Sequence, residues 1–199
     1  MNKVMVAAVG VGLLLTAGCG SDDSPAAEGD QTTTPTTTTE AAAPTAPTPA
    51  GTSPAIFEVG QPVENGGLTV TVTSVDASPT VPVSDGAGGY RDRAAAEGSQ
   101  YVVLSADIVN GMAAPIDLSC GETIGTRLAD AQKQQFNVIA DLDSVQGNRP
   151  CGDQLAPGTD GQIRWVFEVG ADSVPKVFAF LNADGPEPTA VKVVNLSVD

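Results

Sequence analysis

The chain has 199 residues, of which 24 are acidic and 9 are basic, and it contains no histidine. Its net charge of −15 repels nucleic-acid phosphates, so we expect no DNA or RNA partner. Without histidine, the Ser–His–Asp and Cys–His types of nucleophile activation are excluded, as are imidazole metal ligands. The sequence also lacks a G-x-S-x-G elbow and a phosphate-binding glycine loop. We therefore expect no enzymatic activity and no cofactor.

The amino-terminal residues have the order of a secretory signal. A short basic start leads into an apolar run from Val4 to Leu15, and the small residues Ala17-Gly18 precede Cys19. As a helix this run would reach only about 18 Å, well short of a ~30 Å hydrocarbon core. The pattern resembles the lipobox of bacterial lipoproteins, although Thr16 stands where a larger aliphatic residue is more usual. That resemblance implies a signal peptide over 1–18 and a lipid on the cysteine; cleavage without lipidation is the alternative.

Residues 19–54 are rich in threonine, proline and alanine and carry scarcely any large apolar side chain. Such a segment cannot bury enough surface to offset its ordering entropy, so we predict a disordered linker behind the lipidated Cys19. The threonine clusters leave two alternatives open, a bare spacer and a sugar-bearing tract. Together, anchor and linker predict a protein on the outer face of the cell membrane, with its folded part extending into the cell wall.

From Ala55 onward the composition changes to that of one folded domain, 55–199. Apolar side chains alternate with polar ones, which is the period of a strand. The clear candidates are Leu68–Thr73, Gln100–Asn110, Ile163–Val169, Val177–Leu181 and Val191–Val198, and the weaker ones are Ile56–Val59, Thr123–Leu128 and Phe136–Ile139. The first half of Gln100–Asn110 is apolar on both sides. Trp165 is in register with Ile163 and Phe167, which predicts a core position.

Turn signals separate these runs, and they include Asn65-Gly66-Gly67, Pro157-Gly158 and Asp184-Gly185-Pro186. Two short segments, Ala94–Glu97 and Ala129–Lys133, are long enough for only one helical turn each. Seven or eight strands without an amphipathic helix predict an all-β, antiparallel β-sandwich.

With Cys19 assigned to lipid, Cys120 and Cys151 remain as a pair. Outside the cytoplasm a disulfide between them would persist, closing a loop of about 32 residues and contributing roughly 3–4 kcal/mol. A reactive or metal-binding thiol pair is the alternative, but the sequence has neither C-x-x-C spacing nor histidine. We predict a structural disulfide that joins connecting segments at one end of the sandwich.

Calcium is the one metal that the acidic residues suggest. Asp141, Asp143 and Asp153 lie in or near the loop closed by the two cysteines, and Asp160 follows shortly after. No D-x-[DN]-x-[DN]-G run accompanies them, so these are weak candidates.

The glycine-rich run 86–89 is interpreted as a flexible loop.

Four segments carry a resemblance to a known family: Phe57–Gly60 with Leu68–Val72, Tyr101–Leu104 through Asn110, Leu155–Gly158 through Gly161, and Trp165–Val169. Together they resemble a domain family of unknown function found in actinobacterial and other Gram-positive lipoproteins, which is similar to a secreted mycobacterial immunoprotective antigen. The resemblance implies an immunoglobulin-like fold over nearly all of 55–199. It supplies no catalytic residues.

Two functions fit these expectations. The first is a membrane-anchored binding or adhesion module, with loops 76–99 and 141–160 contacting a protein or cell-wall partner. The alternative is a structural or accessory subunit of a cell-envelope complex, which an exposed apolar patch would favour.

Overall fold

The computed structural model describes residues 55–185 and 190–197. The predicted signal peptide, Cys19 and the linker lie outside these residues. In the part of the chain that is described, no helix has the length and apolar character needed to cross a bilayer.

The described residues form eleven strands and one short 3-10 helix, and the predicted all-β class is confirmed. Their bounds are β1 Ile56–Glu58, β2 Val63–Asn65, β3 Leu68–Ser78, β4 Thr80–Ser84, β5 Tyr90–Ala94, β6 Ser99–Asn110, β7 Ile124–Asp130, β8 Gln135–Phe136, η1 Leu142–Ser144, β9 Asp160–Gly170, β10 Pro175–Asn182 and β11 Lys192–Asn195. Each of the eight predicted strands overlaps an observed one, but Phe136–Ile139 shares only its first residue with β8, and Val191–Val198 is shorter as β11. The additional ones are the short strands β2, β4 and β5.

The strands form a sandwich of two sheets with a separate hairpin. The first sheet has the order β1-β11-β10-β7-β8 and the second β2-β3-β6-β9, while β4 pairs with β5. All pairs are antiparallel except β1 with β11. The orders β3-β6-β9 and β11-β10-β7 correspond to A-B-E and G-F-C of an immunoglobulin domain, because β9 returns beside β6 and β10 beside β7. The sandwich is therefore immunoglobulin-like.

The core lies between the two sheets, where the predicted alternation places its apolar side chains. Trp165 is only 2% exposed, and its ring centroid is 5.0 Å from that of Phe178 on the opposite sheet. Phe178 in turn lies 6.1 Å from Phe180. The predicted core position of the tryptophan is confirmed.

The hairpin of β4 and β5 covers part of the outer face of the second sheet. Tyr101 and Val103 point outward from β6, and Val166, which pairs with Val103, is completely buried although it also faces away from the core. Val81 and Val83 of β4 are buried as well. This covering layer explains why the first half of β6 is apolar on both sides.

The two short alanine-rich segments, each long enough for one helical turn, are not helical. Ala94 ends β5 opposite Thr80, and Ala129 pairs with Val177 within the first sheet. Strand pairing already provides hydrogen-bond partners for the backbone at Ala94 and Ala129, and such short segments gain little from intrinsic helix propensity.

The predicted Asn65-Gly66-Gly67 turn joins β2 to β3, and its glycines adopt φ of 59° and 88°, as a tight hairpin requires.

Strand β9 lies at the edge of its sheet, but other segments cover its outer side. The Ile139 amide donates to the Val166 carbonyl at 2.9 Å. Further along, Asn148 uses both ends of its side-chain amide: Oδ1 accepts from the Arg164 N–H at 2.7 Å, and Nδ2 donates to the Arg164 carbonyl at 3.0 Å. A side chain thus occupies the place of a neighbouring strand.

Candidate binding surface

The two segments predicted as contact loops meet in one surface, which we call the loop platform (residues 80–94 and 141–149). Val83 and Val145 form an antiparallel bridge, and the Gln146 amide donates to the Pro82 carbonyl at 2.9 Å. The interpretation of 76–99 as a loop was wrong, because it contains the end of β3 and the β4–β5 hairpin. The platform is therefore held by backbone hydrogen bonds between segments about 60 residues apart in sequence.

An ion pair ties the hairpin to the η1 segment. Arg93 Nη1 lies 2.6 Å from Asp141 Oδ2, and the Ser144 hydroxyl donates to the same oxygen at 2.9 Å. The Arg93 guanidinium also lies 5.8 Å from the ring centroid of Tyr101 beneath it. Because both members of the pair are partly buried, we expect this contact to hold the platform in one conformation more firmly than a fully exposed pair would.

The pKa of Asp141 follows from this environment. Burial by itself raises that pKa, but hydrogen bonds from Arg93 and Ser144, together with the arginine charge, outweigh it and hold the pKa below its ordinary value. The carboxylate stays charged at neutral pH and the ion pair persists.

The tip of the hairpin is organised by one carboxylate. Asp85 Oδ1 accepts from the amides of Ala87 at 2.8 Å and Gly89 at 2.9 Å, and these hydrogen bonds lower the pKa of Asp85. The glycine-rich run 86–89 is thus the turn of a hairpin. It presents Tyr90, which is 53% exposed, next to Arg91.

Arginines are frequent at this surface, where they alternate with four aspartates. Of the five arginines, Arg91, Arg93 and Arg149 lie in the platform. A fourth, Arg164, donates from Nη1 to the Gln146 carbonyl at 3.1 Å. Arginine and tyrosine are enriched at protein interfaces, because both offer a planar surface and directed hydrogen bonds.

The predicted calcium ligands do not converge on one point. Asp141 pairs with Arg93, and Asp153 pairs with Arg149 at 3.1 Å. Asp143 lies instead beside the two cysteines, and within 55–185 and 190–197 these three side chains are the only group of three with metal-ligating atoms close together. The structure therefore offers no set of converging carboxylates among these candidates.

Cys120 and Cys151 are joined in a disulfide with a Cα–Cα distance of 5.3 Å. It links the β6–β7 connection to the segment before β9, both of which are connecting segments. Asp117, which sequence reasoning missed, holds the same two segments together: Oδ1 accepts from Cys120 N at 2.9 Å, and Oδ2 accepts from Gly152 N at 2.7 Å. The D-x-S-C spacing indicates an Asx-turn at Asp117. The hydrogen bond from Gly152, 35 residues away, could not be predicted from sequence because it forms only when the two segments pack together.

We expect Asp117→Asn to lower the free energy of unfolding by about 1–2 kcal/mol at pH 7, because it removes the charge that accepts several amide hydrogen bonds. Burial by itself raises the pKa of Asp117, but hydrogen bonds from the amides of Gly152, Cys120 and Ser119 lower it by more. The folded-state pKa is therefore below its ordinary value. The stabilisation is therefore present above the unfolded-state pKa of about 4 and is lost as pH falls through the folded-state value.

Urea unfolding between pH 7 and pH 2.5 measures this effect. The difference between wild type and Asp117→Asn should close as the pH falls, whereas Asp153→Asn, which removes an exposed pair, should change stability by less than about 0.5 kcal/mol. A difference that is the same at both ends of the pH range would contradict the assignment.

Comparison with known proteins places the chain by its fold. No family model matches it, and no curated protein matches it. Among solved structures it is similar to an uncharacterized β-sandwich protein of Clostridium difficile 630, at 13% identity and a TM-score of 0.53, over 76% of this chain and 99% of that one. It is also similar to a conserved hypothetical protein of Bacillus anthracis, at 16% identity and a TM-score of 0.47, over 67% and 94% of the two chains.

A third similar structure is the secreted protein MPT63 of Mycobacterium tuberculosis, at 14% identity and a TM-score of 0.45, covering 72% of this chain and 98% of that one. At such identities the likeness to the Clostridium difficile protein bears on the fold and on nothing beyond it. The expected resemblance to β-sandwich proteins of unknown function is confirmed at that level.

Proposed function

We propose that this chain is a lipid-anchored protein on the outer face of the cell membrane that uses the loop platform to bind a protein or a cell-wall component. The observation that carries the proposal is the platform itself, in which two distant segments are held together and present Tyr90 and Arg91 beside the ion-paired Arg93 and Arg149. A surface that is already ordered loses little conformational entropy when it binds. The proposal assigns no catalytic role.

The amino-terminal pattern supports the anchor. Cys19 follows the small residues of a signal sequence, and a lipid there would add ~0.8 kcal/mol of membrane affinity for each buried methylene. One acyl chain binds a membrane only marginally, whereas the two or three chains of a bacterial lipoprotein hold it stably. With a net charge of −15 the protein is repelled by an anionic membrane surface, so its association with the membrane would depend on such an anchor.

Cys19→Ala tests the anchor. We expect the wild-type chain to fractionate with membranes and its mature amino terminus to carry the mass of attached acyl chains, while the variant appears in the soluble fraction. A wild-type amino terminus without acyl mass would contradict lipidation.

The alternative role as an accessory subunit rests on the outer face of the first sheet. Ala179, Leu181 and Val191 line a shallow, mostly apolar hollow of about 160 Å3 with Arg127 at its border. Val191 is 50% exposed, and an exposed apolar patch of this kind is typical of faces that other proteins cover.

Photo-cross-linking in intact cells distinguishes the two surfaces. A photoreactive phenylalanine analogue replaces Tyr90 in one full-length variant and Arg127 in another, which places one probe on the β4–β5 hairpin and the other on the outer face of the first sheet. We expect a discrete cross-linked product from position 90 and roughly ten-fold less of it when Arg91→Glu is added. A product only from position 127 would support the accessory role and contradict binding through the platform, as would no product from position 90.

A further inference from the structure

The Cys120–Cys151 disulfide lies at the surface, with a third ligand-type side chain beside it. Both cysteines are exposed. The carboxylate of Asp143, in η1, approaches them so that one of its oxygens and the two Sγ atoms all lie within 4.8 Å of one another. Sequence spacing does not indicate this group, because the three residues come from three separate segments. Cysteine sulfur and aspartate oxygen are both ligands that Zn²⁺ takes in proteins.

We propose that, once the disulfide is reduced, Cys120, Cys151 and Asp143 bind a thiophilic divalent cation of the Zn²⁺ type, and that exchange with a disulfide compound, which accepts two electrons as the Cys120–Cys151 bond re-forms, releases it. A dithiol breaks the Sγ–Sγ bond by supplying two electrons and two protons, and becomes a disulfide itself. Metal binding then displaces the two thiol protons to solvent. Three protein ligands leave the fourth tetrahedral position to water.

The site stays assembled after reduction because other bonds hold the two cysteine segments. Asp117 accepts from the amide of Cys120 and from that of Gly152, the residue next to Cys151. Ile116 and Leu155 exchange two backbone hydrogen bonds of 3.0 and 2.7 Å in the same two segments. The backbone therefore keeps the cysteines together without the covalent bond.

The distances also suit a metal. The Cα atoms of the two cysteines are 5.3 Å apart. A tetrahedral Zn²⁺ with bonds of ~2.3 Å to sulfur separates its two thiolates by roughly 3.8 Å, which rotation about the Cα–Cβ bonds provides. Asp143 pairs with neither Arg93 nor Arg149, the arginines that engage the neighbouring candidates Asp141 and Asp153.

Metal titration of the full chain tests the proposal. The protein is reduced with a phosphine, which carries no thiol of its own, and Zn²⁺ affinity is measured by competition with a chromophoric chelator. We expect one Zn²⁺ per chain in the reduced form, bound at least ~100-fold more tightly than by the oxidised form. Co²⁺ in place of Zn²⁺ should give the near-ultraviolet absorption of thiolate-to-cobalt charge transfer.

One ligand variant and one matched control test the role of Asp143. Asp143→Asn should weaken Zn²⁺ binding to the reduced protein by roughly ten-fold or more, while the matched change Asp153→Asn leaves it unaltered. Equal affinity in reduced and oxidised protein, or an unchanged affinity in Asp143→Asn, would overturn the site. Loss of the β-sheet circular dichroism signal on reduction would overturn it too, because the proposal requires Asp117 to keep the segments together.

Discussion

Replacing both Cys120 and Cys151 by serine should lower the free energy of unfolding by roughly 3–4 kcal/mol, the largest change expected from any surface substitution in this domain. The disulfide closes a loop with a sequence separation of 31, which includes β7, β8 and η1. Without the disulfide the unfolded chain has more conformations, so folding costs more conformational entropy. We expect the melting midpoint to fall by roughly 10 °C.

Thermal melts with and without reductant check this expectation. Reduction should lower the midpoint of the wild type and leave that of the double serine variant where it is. Membrane association should be the same in both proteins, because the proposed anchor at Cys19 is a separate feature. Equal midpoints for the oxidised wild type and the variant would show that the bond contributes nothing.

Trp165→Ala should destabilise the domain by about 3–5 kcal/mol, since it removes the largest buried side chain of the core and leaves a cavity against Phe178. Trp165→Phe should cost less, because the smaller ring keeps part of the aromatic packing. Chemical denaturation measures both values.

Tyr90→Ala provides the matched control. Tyr90 is an aromatic residue that is 53% exposed, so its loss should change stability by no more than about 0.5 kcal/mol. If Trp165→Ala were as stable as Tyr90→Ala, the tryptophan would not be a core residue.

The strands that sequence patterning predicted are those whose alternation is long or strongly apolar. Three strands were not predicted, and each has a physical reason. The three residues of β2 are too few to show a period, and the exposed residues of β5 are polar on both sides. Strand β4 contains Pro82, which argues against a central strand; here it lies in a two-stranded hairpin and its carbonyl accepts from Gln146.

The candidate site was less predictable than the fold. Both platform segments were expected to be contact surfaces, but the pairing of Arg93 with Asp141 across 48 residues depends on how the hairpin packs on the sheet. The carboxylates considered for calcium were separated for the same reason: arginines from other segments engage two of them, and Asp143 lies beside the disulfide. Local patterns predict elements, whereas partners depend on tertiary packing.

Asn148 has a consequence for how the molecule behaves at high local concentration. An uncovered strand as long as β9 would be a template on which a second chain could extend the sheet. The side-chain amide of Asn148 already bonds the backbone N–H and carbonyl of Arg164, in the middle of β9. A second chain therefore cannot pair with this part of the strand and extend the sheet into a fibre. A protein crowded on a membrane, as proposed for this chain, benefits from such protection, since its neighbours are always within reach.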